Sequence, residues 1–594
     1  MRTRVLLAMT IVASWCGSSI VRASQNDDGY TDPRNIRTGR VIPDEGYCDQ
    51  PYVVINKDGS WLCTFTTGPG REGQGGQHVV ATLSKDQGRT WSPPVDIEPS
   101  DGPAASWVMP LITPAGRVYA FYDYNGDRVS TLGDRKNIRA DMLGWYCYKY
   151  SDDGGRTWSK RYRLPVRETA CDRANQWGGK VQIFWGIGKP VTQNGVMWFG
   201  FTKLGRYILD DGEGWFFRSD NILHERDVDK IRWEMLPEGE HGLRNDKFGS
   251  VQEEHNLVPL SKPGHLYCVY RTTTGYPCHA YSRDGGRTWT TPEQATYTPG
   301  GRRIKTPRAC PRLWKTKEGK YLLWFHNHSG KTFDGRNPAW LVGGVEKDAL
   351  MHWGQPEVLL YDPDPKVRMS YPDLIEQDGR YWVTETQKEI ARVHEIDKTL
   401  LAGLWSQGHE RDVVRDGLVL DWPPPGKSLN ASAPATVPMP RLPVLHDGGG
   451  FSIGLWVRFD SLSPGQVLVD GRGEQGQGVV LETADEQTVC ITLRDGEHEA
   501  HWACDPGVLE PGKVHHIVVT VDGGPKIITF VIDGVLCDGG EHREYGWGRF
   551  PDALRNVNGN KRLTIGPCPV LYRVRLYGRP LRTSEAIANF HAGT

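Results

Sequence analysis

The chain has 594 residues, of which 38% are hydrophobic and 24% charged, with a formal net charge of −1. That length exceeds a single core, so two or more domains are expected. The balanced charge excludes a nucleic-acid surface or a polybasic membrane patch. The 70 glycines and 22 tryptophans, with few helix-period stretches, point to an all-β protein rich in turns and aromatic packing.

At the N-terminus, Arg2 and Arg4 precede an apolar run from Val5 to Ala13, and Val21-Arg22-Ala23 supplies small residues at the cleavage positions. This predicts a secretory signal over residues 1–23, cut after Ala23, and a secreted or periplasmic protein. The run is too short to span a bilayer, and no later segment is apolar enough for membrane insertion. Of 12 cysteines, Cys16 leaves with the signal, so an odd number remains and at least one thiol is unpaired within the chain. Cys490 and Cys504, on successive predicted strands, are the first candidates for a bridge, although buried unpaired cysteines are the commoner outcome in an exported all-β protein of this size.

Six segments then repeat one pattern: a strand, a glycine turn and an aromatic-rich strand. They are "QPYVVINKDGSWLCTF" from Gln50, "MPLITPAGRVYAFY" from Met109, "KPVTQNGVMWFGF" from Lys189, "HNLVPLSKPGHLYCVY" from His255, "CPRLWKTKEGKYLLWF" from Cys310 and "YPDLIEQDGRYWVTE" from Tyr371. Each predicts a β-hairpin. An octapeptide runs in step with them: "SKDQGRTW" from Ser84, "SDDGGRTW" from Ser151 and "SRDGGRTW" from Ser282. The second interval is close to twice the first, and "RSDNILHERDVDKIRW", Arg218 to Trp233, reads as a worn copy between them. In each box the Asp side chain accepts from backbone N–H groups of its own turn, Gly supplies a positive φ, and Trp is an apolar wedge. These residues staple a turn and need no substrate. A four-stranded unit of this size cannot bury both faces alone; six stacked radially can, which predicts a six-bladed β-propeller over residues 40–410.

After Gln407 the rhythm stops. Residues 411–445, rich in Pro, Ala and Ser, read as a linker or an edge strand. Residues 446–594 carry "FSIGLWVRFDSL", "HHIVVTVDG", "ITFVIDGVL" and "LYRVRLYGRPLRTSEAIANFHAG", which predict strands and one short helix capped near Thr583 or Ser584. This order resembles the laminin-G/concanavalin A-like family and implies a β-sandwich jelly roll, either a glycan binder or a brace for the propeller. Tyr572 and Arg573 stand where such domains carry an acidic calcium ligand, so no metal is expected there.

In a propeller, the starts of the innermost strands and the ends of the second strands converge on one mouth. The starts hold Asp49, Gln50, Trp107, Lys189, Glu253, Glu254, His255, Arg308 and Tyr371; the ends hold Asp123, Arg271, His326 and Glu385. This is a dense polar set beside apolar strands. His326 and His328 share a strand face but lack a third ligand, so neither metal nor cofactor is expected.

Ser-x-Asp-x-Gly-x-Thr-Trp boxes on six hairpins resemble the sialidase superfamily over about two-thirds of the chain. The resemblance implies roles for individual residues. "SYPDL" makes Tyr371 the nucleophile and "EHNLVPL" makes Glu254 its base. "GHLYCVYR" and "DGRNPAW" make Arg271 and Arg336 holders of a sugar carboxylate. A neutral tyrosine suits an anionic sugar, because a carboxylate nucleophile would be repelled. Two departures stand out. Asp49, in "CDQPYVV", occupies the place of the family's first arginine, with Arg40 in "GRVIP" a loose echo. Six residues before the first box, where the family has its acid/base aspartate, stands His78, a proton donor near neutral pH. The expectation is an exported exo-glycosidase acting on a terminal acidic sugar of a glycan or polysaccharide. A polysaccharide lyase using His78 and Tyr371 on a uronic acid, and a non-catalytic glycan-binding protein, remain as alternatives.

Overall fold

The structure is a computed structural model that describes residues 31–424, 434–566 and 571–594. The predicted signal and Cys16 lie outside the described residues. The chain is all-β, with 43% strand and 7% helix.

Every predicted hairpin forms. Each sits in its own antiparallel sheet, and six such sheets of four or five strands cover Arg40 to Glu395. The sixth takes its outermost strand, Arg40–Ile42, from the N-terminal side of the chain, paired with Ala391–Glu395. Large side chains fill the space between neighbouring sheets. Tyr52, Met109, Phe121, Phe199 and Phe217 join the first three. Trp198 and Phe216 meet Leu257 and Leu266 of the fourth. Tyr267 of the fourth shares a cluster with Leu313 and Tyr321 of the fifth. Trp324 and Leu341 pack with Tyr381 and Val383 of the sixth. Ile375 and Trp382 of the sixth close on Val53 and Cys63 of the first. Each sheet thus buries two faces that it could not bury alone.

The boxes lie where the third strand turns into the fourth. In the second box Asp153 accepts from the N–H groups of Arg156 and Thr157 at 3.0 and 2.9 Å and from the Thr157 hydroxyl at 2.7 Å. The worn copy keeps the logic: Ser219 Oγ accepts from Ile222 N–H at 3.2 Å, and Asn221 Oδ1 accepts from Arg232 N–H at 2.9 Å.

The C-terminal residues form two sheets, one of seven strands and one of six, around a core that includes Phe451, Leu455, Ile491, Val519 and Phe530. The segment read as a linker supplies an edge strand to each, Leu418–Trp422 and Ala435–Pro438. The last helix spans Thr583–Ala592 with Arg582 as its N-cap, so Thr583 and Ser584, expected as the cap, are instead its first two residues, and their amides are capped from outside. Glu357 of the fifth sheet accepts from Thr583 and Ser584 N–H at 2.9 and 2.7 Å. The candidate Cys490–Cys504 bridge is not formed, and all ten described cysteines are free, the commoner of the two expected outcomes. Cys504 Sγ instead accepts from Val489 N–H at 3.3 Å, while half-buried Cys490 interacts with the carbonyl of Ile491.

Candidate active site

Four hairpins open on the same irregularity. One extra residue intrudes between Asp49 and Tyr52, Ser106 and Met109, Glu253 and Asn256, and Ser370 and Asp373. Within each bulge one non-glycine residue has positive φ: Gln50 at 55°, Trp107 at 62°, Glu254 at 60° and Tyr371 at 45°. A bulge frees a residue from the ladder and re-aims its side chain, and such strained positions gather at functional sites. Threonines of the neighbouring sheet satisfy the freed amides. Thr66 Oγ1 accepts from Trp107 N–H at 3.0 Å, and Thr202 Oγ1 from Glu254 N–H at 2.8 Å.

The bulges bring Tyr371 and Glu254 together. The Tyr371 hydroxyl donates to Glu254 Oε1 at 2.7 Å, with both residues buried. Arg271 flanks the pair: its Nε donates to Glu253 Oε2 at 2.7 Å, and its Nη1 lies 2.8 Å from Glu254 Oε1. The second contact is an ion pair without hydrogen-bond alignment, so Nη1 keeps its donor capacity. Burial, and then the neighbouring Glu254 charge, push the Tyr371 phenol well above its ordinary range. Burial also raises the Glu254 carboxyl, against the pull of Arg271. Glu254 therefore holds a proton more readily than an exposed carboxylate does, as a group that must accept one from Tyr371 requires.

A cavity of about 150 Å³ opens over this pair. Its lining carries five cations, Arg139, Arg271, Arg336, Arg368 and Lys388, against two carboxylates, Glu72 and Glu254. Arg336 is the exceptional cation. It is buried, donates only to neutral acceptors (Ser370 Oγ and the Arg308 carbonyl, both at 2.8 Å), and its Nε has no partner. Burial, with Arg271 nearby, lowers its affinity for its own proton. A buried guanidinium without a counter-ion is costly unless an anion arrives. Phe333 lies under it at 5.6 Å and under Arg308 at 4.5 Å.

Other predicted residues lie elsewhere. His78 is not at the cavity. It stands on the third strand of its sheet, with Nε2 3.4 Å from Asp96 and 3.7 Å from Glu45 and Nδ1 3.2 Å from the Gly76 carbonyl. Arg40 belongs to the outermost strand of the sixth sheet while Tyr371 belongs to the innermost, so it cannot replace the absent arginine. His326 is buried against the Pro338 carbonyl at 3.2 Å and does not line the cavity; burial and Arg336 hold it well below the ordinary histidine range, hence neutral. Asp49 stands one shell back, bonded to Lys388 Nζ and, at 2.9 Å, to the Tyr47 hydroxyl. Asp123 is buried with neither oxygen paired, and burial drives its carboxyl well above the ordinary range.

Four charged lining residues escaped the sequence reading: Glu72, Arg139, Arg368 and Lys388. Glu72 comes from the glycine-rich loop 68–76, and its carboxylate is 2.6 Å from Arg139 and 3.2 Å from Lys388. Burial opposes its ionisation, but these two cations hold it far below the ordinary range. Lys388 sits 4.4 Å from the centre of the Tyr371 ring, and Arg139 5.8 Å from that of Trp107. Asp49 was the available signal: a buried carboxylate demands a cation, and Lys388 is that cation. Among the described residues no group of three His, Cys, Asp or Glu side chains is arranged to hold a metal.

Two families match the chain: a BNR repeat-like domain over residues 105–383 and the concanavalin A-like lectin/glucanases superfamily over residues 430–586. No curated protein matches it in sequence. Similar solved structures include sialidases. The Hadza microbial sialidase Hz136 is 18% identical, covering 59% of this chain and 66% of its own, with a TM-score of 0.43. The Trypanosoma rangeli sialidase bound to 2,3-difluorosialic acid is 15% identical over 92% of this chain and 93% of its own, at 0.42. The NanB sialidase from Streptococcus pneumoniae is 13% identical over 60% and 70%, at 0.43.

Proposed function

We propose that this chain, a BNR-repeat domain joined to a laminin-G/concanavalin A-like domain, is an exported exo-glycosidase that removes a terminal acidic sugar. Its six sheets would be the blades of a propeller with Tyr371 at the mouth. The observation that carries this reading is the 2.7 Å bond from the Tyr371 hydroxyl to Glu254 beside the unpaired Arg336. The sugar carboxylate would dock on Arg336 and the spare Nη1 donor of Arg271 through charge-assisted bonds. Tyr371 Oη would attack the anomeric carbon as its proton passes to Glu254, forming a glycosyl-tyrosine and breaking the bond to the leaving oxygen. The Lys388 ammonium, held between Asp49 and the ionised Glu72, would supply the proton to that oxygen; water would then displace Tyr371 Oη from the anomeric carbon, giving one proton to Lys388 while Glu254 returns the other to Tyr371. A cavity of about 150 Å³ suits one sugar residue, hence exo action.

Elimination drew on His78 as base, and its ring is turned towards Asp96, so the lyase reading lacks that group. The test is a panel of aryl glycosides of sialic and uronic acids, together with acidic polysaccharides. Aglycone released by the wild type and not by Tyr371→Phe supports the hydrolase. Unsaturated fragments from a polymer would move the chemistry to elimination, and silence throughout would leave a binding protein. Export rests on residues 1–23 and is tested by N-terminal sequencing of protein recovered outside the cytoplasm, with Ser24 expected first.

A further inference from the structure

Residues 544–549 of the C-terminal domain grip the loop that carries Arg336. That loop, residues 326–338, joins the second and third strands of the fifth sheet. Trp547 Nε1 donates to the Asn327 carbonyl at 3.1 Å, and Arg549 Nη2 to the Asn337 carbonyl at 2.9 Å, so both ends of the loop are held. In the middle, Ser329 N–H donates to the Glu544 carbonyl at 3.1 Å. The Tyr545 ring stacks on His328 at 4.6 Å with 14° between planes. His328 passes this contact inward: its Nε2 is 2.9 Å from the carbonyl of Gly335, the residue before Arg336, and its Nδ1 accepts from Gly330 N–H at 3.2 Å. Trp547 is buried, and Trp340, at the start of the strand leaving the loop, lies 6.4 Å away.

We propose that Tyr545 and Trp547 are positioning residues for anion binding: they act through His328 to hold Phe333 and Arg336 in the cavity wall. A loop of this length that contains Ser329, Gly330 and Gly335 and only Phe333 and Pro338 as apolar residues has little apolar area of its own to fix it. An arginine fork must be held to within a fraction of an ångström to meet a carboxylate. The inference deepens the reading of the cavity as an acidic-sugar site and rests on it for its kinetic arm.

The test uses the full chain with Tyr545→Ala, Tyr545→Phe and Trp547→Ala. Hydrogen exchange read by mass spectrometry is expected to show lost protection across 326–338 in both alanine variants and retained protection in Tyr545→Phe, whose ring still stacks. On whichever acidic aryl glycoside the wild type cleaves, KM should rise about tenfold in the alanine variants with kcat within about twofold, and Tyr545→Phe should restore it. A role confined to stability would lower the melting temperature and leave KM unmoved, which overturns the proposal. Unchanged exchange in 326–338 overturns it too, whether or not any substrate has been found, and so separates its failure from that of the glycosidase reading.

Discussion

Tyr371 and Glu254, 117 residues apart in the chain, share a 2.7 Å hydrogen bond in which each side chain leaves its own strand at a bulge with positive φ. Neither residue reaches the other from a regular ladder. The pair therefore exists only if the fourth and sixth sheets are both placed around the same cavity. Removing the hydroxyl tests it directly. Tyr371→Phe is expected to reduce turnover at least about a thousandfold. The lost buried hydrogen bond should cost about 1 kcal/mol of stability, leaving the fold intact in circular dichroism and thermal melts. Retained activity would remove Tyr371 from the chemistry.

The raised Glu254 carboxyl sets a pH dependence. As a base it works only when ionised, so kcat/KM should rise with pH through a value above the ordinary 4.5. The stability sign is opposite. The folded state binds this proton more tightly than the unfolded state does, so ionising Glu254 costs stability as pH rises through the folded pKa. In Glu254→Gln the acid limb of the rate profile should disappear together with about 10²- to 10⁴-fold of rate.

Arg336 has no carboxylate partner within ion-pair distance among the described residues, and its guanidinium lines the cavity. Arg336→Met should weaken an acidic aryl glycoside about a hundredfold in kcat/KM, mostly through KM, while leaving the melting temperature equal or higher. Steady-state kinetics beside a thermal melt reads both. A variant with wild-type KM would show that the anion docks elsewhere.

His78 and Glu72 make opposite forecasts. His78→Gln should keep activity within about twofold, because its ring faces Asp96. Glu72→Gln, which removes a charge that holds the Lys388 ammonium in place, should retain hydrolysis of aryl glycosides with acidic leaving phenols, which need little protonation, and lose about 10²-fold or more on alkyl-linked substrates. Equal losses on both substrate types would take Glu72 out of proton transfer.

The box aspartates give an acid-stability signature. In Asp153 burial raises the carboxyl, but bonds from the Thr157 hydroxyl and N–H and from Ser151 outweigh it and bring it down to about 2 from 3.8. A depressed folded pKa means stability that is present in full above 3.8 and lost as pH falls through about 2. Melting of wild type and Asp153→Asn should therefore differ at neutral pH and converge near pH 2. A gap independent of pH would deny the ionised carboxylate its part in the turn.

The six hairpins, the three intact boxes and the worn fourth were legible in the sequence because each depends on local physics. Alternating side chains choose a strand, and Gly, Asp and Ser choose a turn within a few residues of themselves. The family resemblance then implied Tyr371, Glu254, Arg271 and Arg336 by their offsets from those turns, an equally local reading. It misplaced His78, because counting back from a box measures distance along a strand and says nothing about how far that strand lies from the cavity. It also missed Glu72, which sits in a loop without periodicity, and Lys388, which sits in the turn between the second and third strands of the sixth sheet. What only the tertiary structure decided is which way the bulged residues point and which distant cations meet which carboxylates. Those outcomes follow from sheet-to-sheet packing, where Thr66 and Thr202 of one sheet satisfy the freed amides of the next, and no short-range pattern encodes a partner that lies in another sheet.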